Sequence, residues 1–194
     1  MRVIAGSAKG RRLHAGKGQA VRPTADKVKG ALFNILASRF DLRSAQVLDL
    51  FAGSGNLGIE ALSRGAHHVT FVDESAASIR VLRNNLRACR MEESARVLSV
   101  PVTRALAQLA RQQVHFDGVL LDPPYGRGLV DHTLAAIAAY GLVRPGGWAM
   151  VEHHVDEAPV DAYGALRLTQ ARRYGKTALA LFVALEATGG GEGI

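Results

Sequence analysis

From residue 46 onward, short apolar runs alternate with amphipathic stretches. Residues 46–51 (QVLDLF), 68–73 (HVTFVD), 95–100 (ARVLSV), 116–122 (FDGVLLD) and 146–153 (GGWAMVEH) read as buried strands, each bounded by polar or glycine-containing segments. Between them the period changes to that of a helix. Residues 56–65 form a helix that stops at Gly65. Ser75 caps a second one running to about Arg90, with Ile79, Leu82 and Leu86 on one face, and residues 102–112 and 129–140 form two more. The closing stretches, 165–174 and 177–187, have little helical periodicity and read as strands.

Upstream, within the stretch 22–40, Thr24 is placed to cap a helix whose apolar face is Val28, Ala31, Leu32, Ile35 and Leu36, at i, i+3, i+4 spacing. Residues 1–21 are glycine-rich and basic, fitting a short hairpin or extended arm. The last seven residues, TGGGEGI, offer nothing to pack and read as a disordered tail. Alternating strand and helix predicts an α/β chain with a doubly wound, mostly parallel sheet of seven strands. The implied division is a basic arm and helix over 1–40, one sheet domain over 41–187 and a tail over 188–194. Ligands of such sheets bind beyond the carboxyl ends of the strands, which is where Asp49, Asp73 and Asp122 fall.

Composition adds little to that picture, but charge placement changes it. With 48% apolar and 21% charged residues the chain reads as one soluble globular domain with no membrane-spanning run. No secretory leader is evident at the start, and the single Cys89 cannot form an internal disulfide, so a reducing cytoplasm is the expected setting. Residues 1–30 hold eight basic side chains (Arg2, Lys9, Arg11, Arg12, Lys17, Arg22, Lys27, Lys29) against one acid, Asp26. In the remainder the charges cancel, so the whole net charge of +7 lies at the amino-terminal end. Such a patch suits a polyanion, because each phosphate neutralised releases counterions; a merely solvated tail is the alternative.

The segment LDLFAGSGNLG puts Gly53, Gly55 and Gly58 between a strand and a helix, with Asp73 twenty residues beyond Gly53. That spacing meets the dinucleotide-binding fingerprint, so a nicotinamide dehydrogenase is a legitimate reading. Asp49 argues against it. An acid introducing the loop repels a pyrophosphate, but it serves S-adenosylmethionine, which has no phosphate and carries an ammonium and a sulfonium. Asp122-Pro123-Pro124-Tyr125 supplies the second half of the chemistry. The lone pair of an exocyclic amino group on a base is delocalised into the ring. Acceptors that grip its two N–H bonds, here the Asp122 carboxylate and the Pro123 carbonyl, favour a more pyramidal and more nucleophilic nitrogen. Prolines fix φ and carry no donor, so the acceptors stand at preset positions, and the Tyr125 ring can stack on a base drawn out of its helix.

DLFAGSG followed by DPPY resembles the amino-group class of adenosylmethionine-dependent methyltransferases. The chain as a whole resembles the RsmD family, in RVIAGSAKGRRL, RPTADKVKGALFNIL, VLDLFAGSGNLGIEALSRGA and FDGVLLDPPYGRG. The resemblance implies a Rossmann-like class I fold with an antiparallel last strand and a basic hairpin-helix extension. The activity it implies is methylation of guanine N2 in 16S rRNA, with rRNA inside an assembling 30S subunit as partner and no membrane, no metal and a monomeric state. Carried onto this chain, it places Asp49, Phe51, Ala52, Gly53, Ser54, Gly55, Gly58, Asp73 and Val102 at the cofactor and Asp122, Pro123, Pro124 and Tyr125 at the target base. Arg2, Lys9, Arg11, Arg12, Arg22, Thr24 and Lys27 fall to RNA, with Arg22 and Thr24 bordering the pocket. Two positions depart from the family's pattern: Gly30 stands where an acid is usual, and Val102 follows the third strand where an Asp or Asn commonly meets the adenine.

Other features carry less. Arg80, Arg83, Arg87 and Arg90 form a stripe that reads as a solvated face or an extension of the RNA footprint. His67-His68 and His153-His154 lack metal-ligand spacing. Two rival functions remain open: an adenine-N6 DNA methyltransferase, for which the chain has no room to hold a separate recognition region, and a non-catalytic RNA-binding assembly factor.

Overall fold

The structure is a computed structural model and describes residues 1–15 and 23–186, with side chains omitted over 23–25. Helix α1 (Pro23–Ala37) precedes an alternation of β1 (Gln46–Leu50), α2 (Asn56–Ser63), β2 (His68–Val72), α3 (Ala76–Cys89), β3 (Ala95–Leu98), α4 (Val102–Arg111), β4 (Phe116–Leu121), α5 (Leu129–Ala139) and β5 (Val143–His154). The chain closes with β6 (Ala162–Tyr163), β7 (Leu166–Tyr174) and β8 (Thr177–Ala184). The strands form one sheet in the order β3-β2-β1-β4-β5-β8-β7-β6. β1 to β5 are parallel, and β8 enters antiparallel between β5 and β7. Seven strands stand where the apolar runs place them. The eighth, β6, spans two residues, too short for any period to announce.

Strands β1 and β4 are buried on both faces because helices cover both. Along β1, Val47 packs into the core shared with α1, α2 and α3, while Leu48 and Leu50 pack into the core shared with α4 and α5. The predicted face of α1 is confirmed, with Val28, Leu32, Ile35 and Leu36 buried. Ser75 caps α3 as expected, its side chain accepting from the Ser78 amide.

The amino-terminal arm is a hairpin laid onto the fold. Arg2 and Arg12 form an antiparallel bridge, and the Val3 amide donates to Arg11 and the Gly10 amide to Val3. Val3 and Leu13 are buried in the first core. A buried ion pair fastens the hairpin. Glu60 of α2 accepts from the amides of Ile4 (2.8 Å) and Ala5 (3.0 Å) and from Arg64 Nε at 2.8 Å. Lys29 of α1 donates to the Arg2 carbonyl and to Asn56 Oδ1, both at 2.7 Å, and lies 3.4 Å from Glu60. This corrects the charge reading: Lys29 is 1% exposed, so it belongs to the interior and not to the basic surface. Burial lowers its pKa, with Glu60 opposing the shift. Asn85 of α3 makes a second fastening, accepting from the His14 amide and donating to the carbonyls of His14 and Ser54. It thereby ties the arm to the glycine loop.

Removing one partner of a buried pair leaves an uncompensated charge and two unmet amides. Glu60→Ala is therefore expected to cost about 3–5 kcal/mol in denaturant unfolding. Gly30 behaves oppositely. Among the described residues a Cβ there meets only Ile4 Cδ1, at 3.9 Å, so Gly30→Ala should stabilise by roughly 0.5–1 kcal/mol. A lower denaturation midpoint for Gly30→Ala contradicts this account of the helix.

Candidate active site

A cavity of about 600 Å³ opens at the carboxyl ends of the parallel strands. Its wall comes from the loop after β1 (Phe51, Gly53), the turn after β2 (Asp73, Glu74, Ser75), the start of α4 (Pro101, Val102), the turn after β4 (Asp122 to Tyr125, Arg127) and α5 (His132, Thr133). The sheet's edge thus brings together residues from Phe51 to Ala136, as a switch-point crevice requires.

The glycine loop is shaped by close approach. Gly55 has φ of 81°, and a Cβ on it would stand 2.3 Å from Leu82 Cδ1. At Gly58 a Cβ would stand 2.3 Å from Phe71 and 2.8 Å from the Asp49 carboxylate. The Asp73 carboxylate accepts from the Gly53 amide at 2.8 Å and from the Ser75 amide at 2.8 Å, joining the loops after β1 and β2 beneath the cavity. Asp49 is 1% exposed and accepts from the Gly58 amide at 2.9 Å. Burial, reinforced by the charge of Asp73 and opposed by the Gly58 amide, pushes its carboxyl up to about 7. Of the residues assigned to the cofactor, Phe51, Gly53, Asp73 and Val102 line the cavity. Asp49, Ala52, Ser54, Gly55 and Gly58 stand behind the wall and shape it.

All four residues of the Asp-Pro-Pro-Tyr turn line the cavity. Leu121 of β4 pairs with Val151 of β5, so the next residue, Asp122, stands beside Glu152. Asp122 is solvent-accessible on the cavity side. Crowding by protein, then the charges of Glu152 and Asp49, nevertheless raise its carboxyl well above the usual range. Access to a cavity is not access to bulk water, so the two observations agree. Among the described residues nothing forms an ion pair with Asp122. Tyr125 is 43% exposed, with its ring 5.7 Å from that of His154 and its hydroxyl 3.5 Å from Glu152. Its phenol is pushed up to about 12, chiefly by burial, with Thr177 opposing.

Two acids escaped the sequence reading. Glu152 raises Asp122, and a carboxylate at the end of the neighbouring strand was its available signal. Glu157 accepts from the amides of Gly126 (2.9 Å) and Gly128 (3.4 Å) and holds the turn after Tyr125; its sequence neighbourhood offers no signal at all. The described basic residues assigned to RNA lie elsewhere. Arg2, Lys9, Arg11, Arg12 and Lys27 are exposed and none lines the cavity, and Arg2 is 3.9 Å from Asp26. Arg22 and the Thr24 side chain lie outside the described residues, as do Lys17 and the tail. Arg80, Arg83, Arg87 and Arg90 are exposed, with Arg87 at 3.5 Å from Glu92.

The chain matches the model of the family described as conserved hypothetical protein 95 over residues 1–183. A Bacillus subtilis protein provisionally named an rRNA methyltransferase, YlbH, is 40% identical over 182 residues, 94% of this chain and 98% of its own. Ribosomal RNA small subunit methyltransferase D of Haemophilus influenzae is 36% identical over 158 residues, 81% of this chain and 80% of its own. A solved Escherichia coli structure, provisionally named a methyltransferase, superposes with a TM-score of 0.82 at 32% identity, covering 96% of this chain and 99% of that one.

Asp49 yields a pH prediction for the ligand-free protein. Its folded value near 7 lies above the ordinary 3.8, so between those values the folded state holds a proton that the unfolded state has lost. Its contribution is present below pH 4 and disappears as pH rises towards 7. Unfolding monitored from pH 4 to 8 should show Asp49→Asn losing less stability over that window than the parent; parallel curves for the two proteins count against the buried-acid assignment.

Proposed function

The chain belongs to the RsmD family, and from that membership and the cavity's chemistry we propose that it is an S-adenosylmethionine-dependent rRNA methyltransferase acting on guanine N2. The observation that carries the proposal is an Asp122 carboxylate on the cavity wall, without a cationic partner among the described residues, followed by two prolines that offer no donor. An acceptor in that state needs N–H groups, and an exocyclic amine brings two.

The cavity fits the cofactor. Its volume is that of a small-molecule site, and Asp73, Glu74 and Asp122 give it a wall that favours an ammonium and a sulfonium and disfavours a pyrophosphate, against the nicotinamide reading. Asp73 is placed for ribose hydroxyls, and Phe51, Pro101, Val102 and Leu106 offer apolar surface for an adenine. When bound, S-adenosylmethionine supplies a methyl group activated by positive sulfur. The protein supplies position. Asp122 and the Pro123 carbonyl accept the two N2 hydrogens, turning the nitrogen lone pair outward, while Tyr125 stacks the displaced base. As the N–C bond forms, N2 gives up one proton to Asp122, whose raised proton affinity suits it to receive one, or to water. The exposed basic residues of the hairpin and α1 hold RNA backbone. In this reading the protein works as a monomer in the cytoplasm on a small subunit already carrying proteins.

Asp122→Ala should lower methyl transfer at least about a hundredfold while cofactor binding, followed by calorimetry, persists. Mass analysis of digested rRNA should find N2-methylguanosine with the parent protein only. Near-normal turnover by the variant, or N6-methyladenosine as product, rejects the mechanism; RNA binding without any cofactor binding would favour an assembly factor.

A further inference from the structure

We infer that Arg127 is a phosphate-reading residue of the substrate site: it holds the RNA backbone beside the base presented to Asp122. The inference rests on the methyltransferase reading and extends it from the base to the nucleotide that carries it. The acids that line the cavity, Asp73, Glu74 and Asp122, suit a cationic cofactor and would repel a phosphodiester. An RNA nucleotide that puts its base at Asp122 must nevertheless bring its phosphates to the mouth of the same cavity. Among the described residues Arg127 is the one arginine in the wall. It sits on the turn directly after Tyr125, so its guanidinium and the stacking ring belong to one short loop.

The loop is built so that the guanidinium stays available. Gly126 (φ 76°) and Gly128 (φ 62°) flank Arg127 in the left-handed region. Their amides turn towards Glu157, the nearby carboxylate that could otherwise pair with the arginine. Glu157 therefore fixes the backbone on both sides of residue 127. Among the described residues the Arg127 side chain forms no ion pair, and it is exposed. A planar fork with five donors, anchored through its backbone and free at its tip, is suited to bidentate capture of a phosphate.

The test uses the full-length protein and small ribosomal subunits from cells lacking it. Dissociation constants for the subunits are measured over about 50 to 200 mM monovalent salt for the parent, Arg127→Ala and Arg127→Lys, with cofactor affinity measured in parallel. Arg127→Ala should weaken subunit binding about tenfold, the equivalent of one charge-assisted hydrogen bond. It should also make the slope of log K against log salt shallower by roughly 0.7–0.9. Arg127→Lys should restore the slope, because the charge is kept, and recover only part of the affinity, because the fork is lost. Cofactor affinity should stay within about twofold in both, since neither removes a group facing the sulfonium. Unchanged subunit affinity and slope in Arg127→Ala overturns the inference. So does an unchanged slope with a loss of cofactor binding, which would assign Arg127 to the cofactor's carboxylate. A parent protein that neither binds nor methylates the subunits sinks the methyltransferase reading itself, and Arg127 falls with it; parental activity with an indifferent variant sinks Arg127 alone.

Discussion

An aspartate at the end of a buried parallel strand, with further carboxylates close by and no ion-pair partner among the described residues, is an unfavourable arrangement for folding. Burial, then the charges of Glu152 beside it and of Asp49, raise the proton affinity of Asp122. Salt-bridged acids shift the other way. A chain selected for stability alone would place a lysine or an amide opposite it. In the proposed function the arrangement is made useful by a ligand that brings its own donors, an amine with two N–H bonds and a cofactor with positive sulfur. The prolines that follow keep the corner free of competing N–H groups, and the sheet's register keeps the carboxylate at the rim.

The scaffold isolates that corner from the rest of the charge. Glu60 pairs with both Lys29 and Arg64 beneath the hairpin, and none of the three lines the cavity. Asn85 links the hairpin to the glycine loop through the carbonyls of His14 and Ser54. The basic arm and the cofactor loop therefore share a rigid seam. In the proposed function, a base delivered by RNA held on the arm would arrive at a site whose position relative to that arm is fixed by buried hydrogen bonds.

Much of this was legible in the chain itself, for physical reasons. Strands buried on both faces appear as unbroken apolar runs, so β1, β2 and β4 stood out, and the i, i+3, i+4 spacing of Val28, Leu32 and Leu36 marked the buried side of α1. Strand-terminal acids at Asp49, Asp73 and Asp122 located the crevice. What could not be read was pairing over distance. Lys29 looks like any surface lysine until Glu60 meets it from another helix. Asp49 looks like a ligand-facing acid until Gly58, packed too tightly on Phe71 to carry a side chain, directs its amide onto it. Glu157 holds a turn 29 to 31 residues away, and nothing local marks it. Strand β6 is too short to show a period.

The account's central claim is geometric, and one structure tests it most directly: a crystal of this protein with S-adenosylhomocysteine bound. The acid-lined cavity predicts the cofactor product against Asp73, with its sulfur facing the Asp122 carboxylate across a gap that admits one methyl carbon and one amino nitrogen. A carboxylate at residue 122 rotated out of the cavity and held by a basic side chain, or a cofactor seated away from the turn after β4, would contradict it.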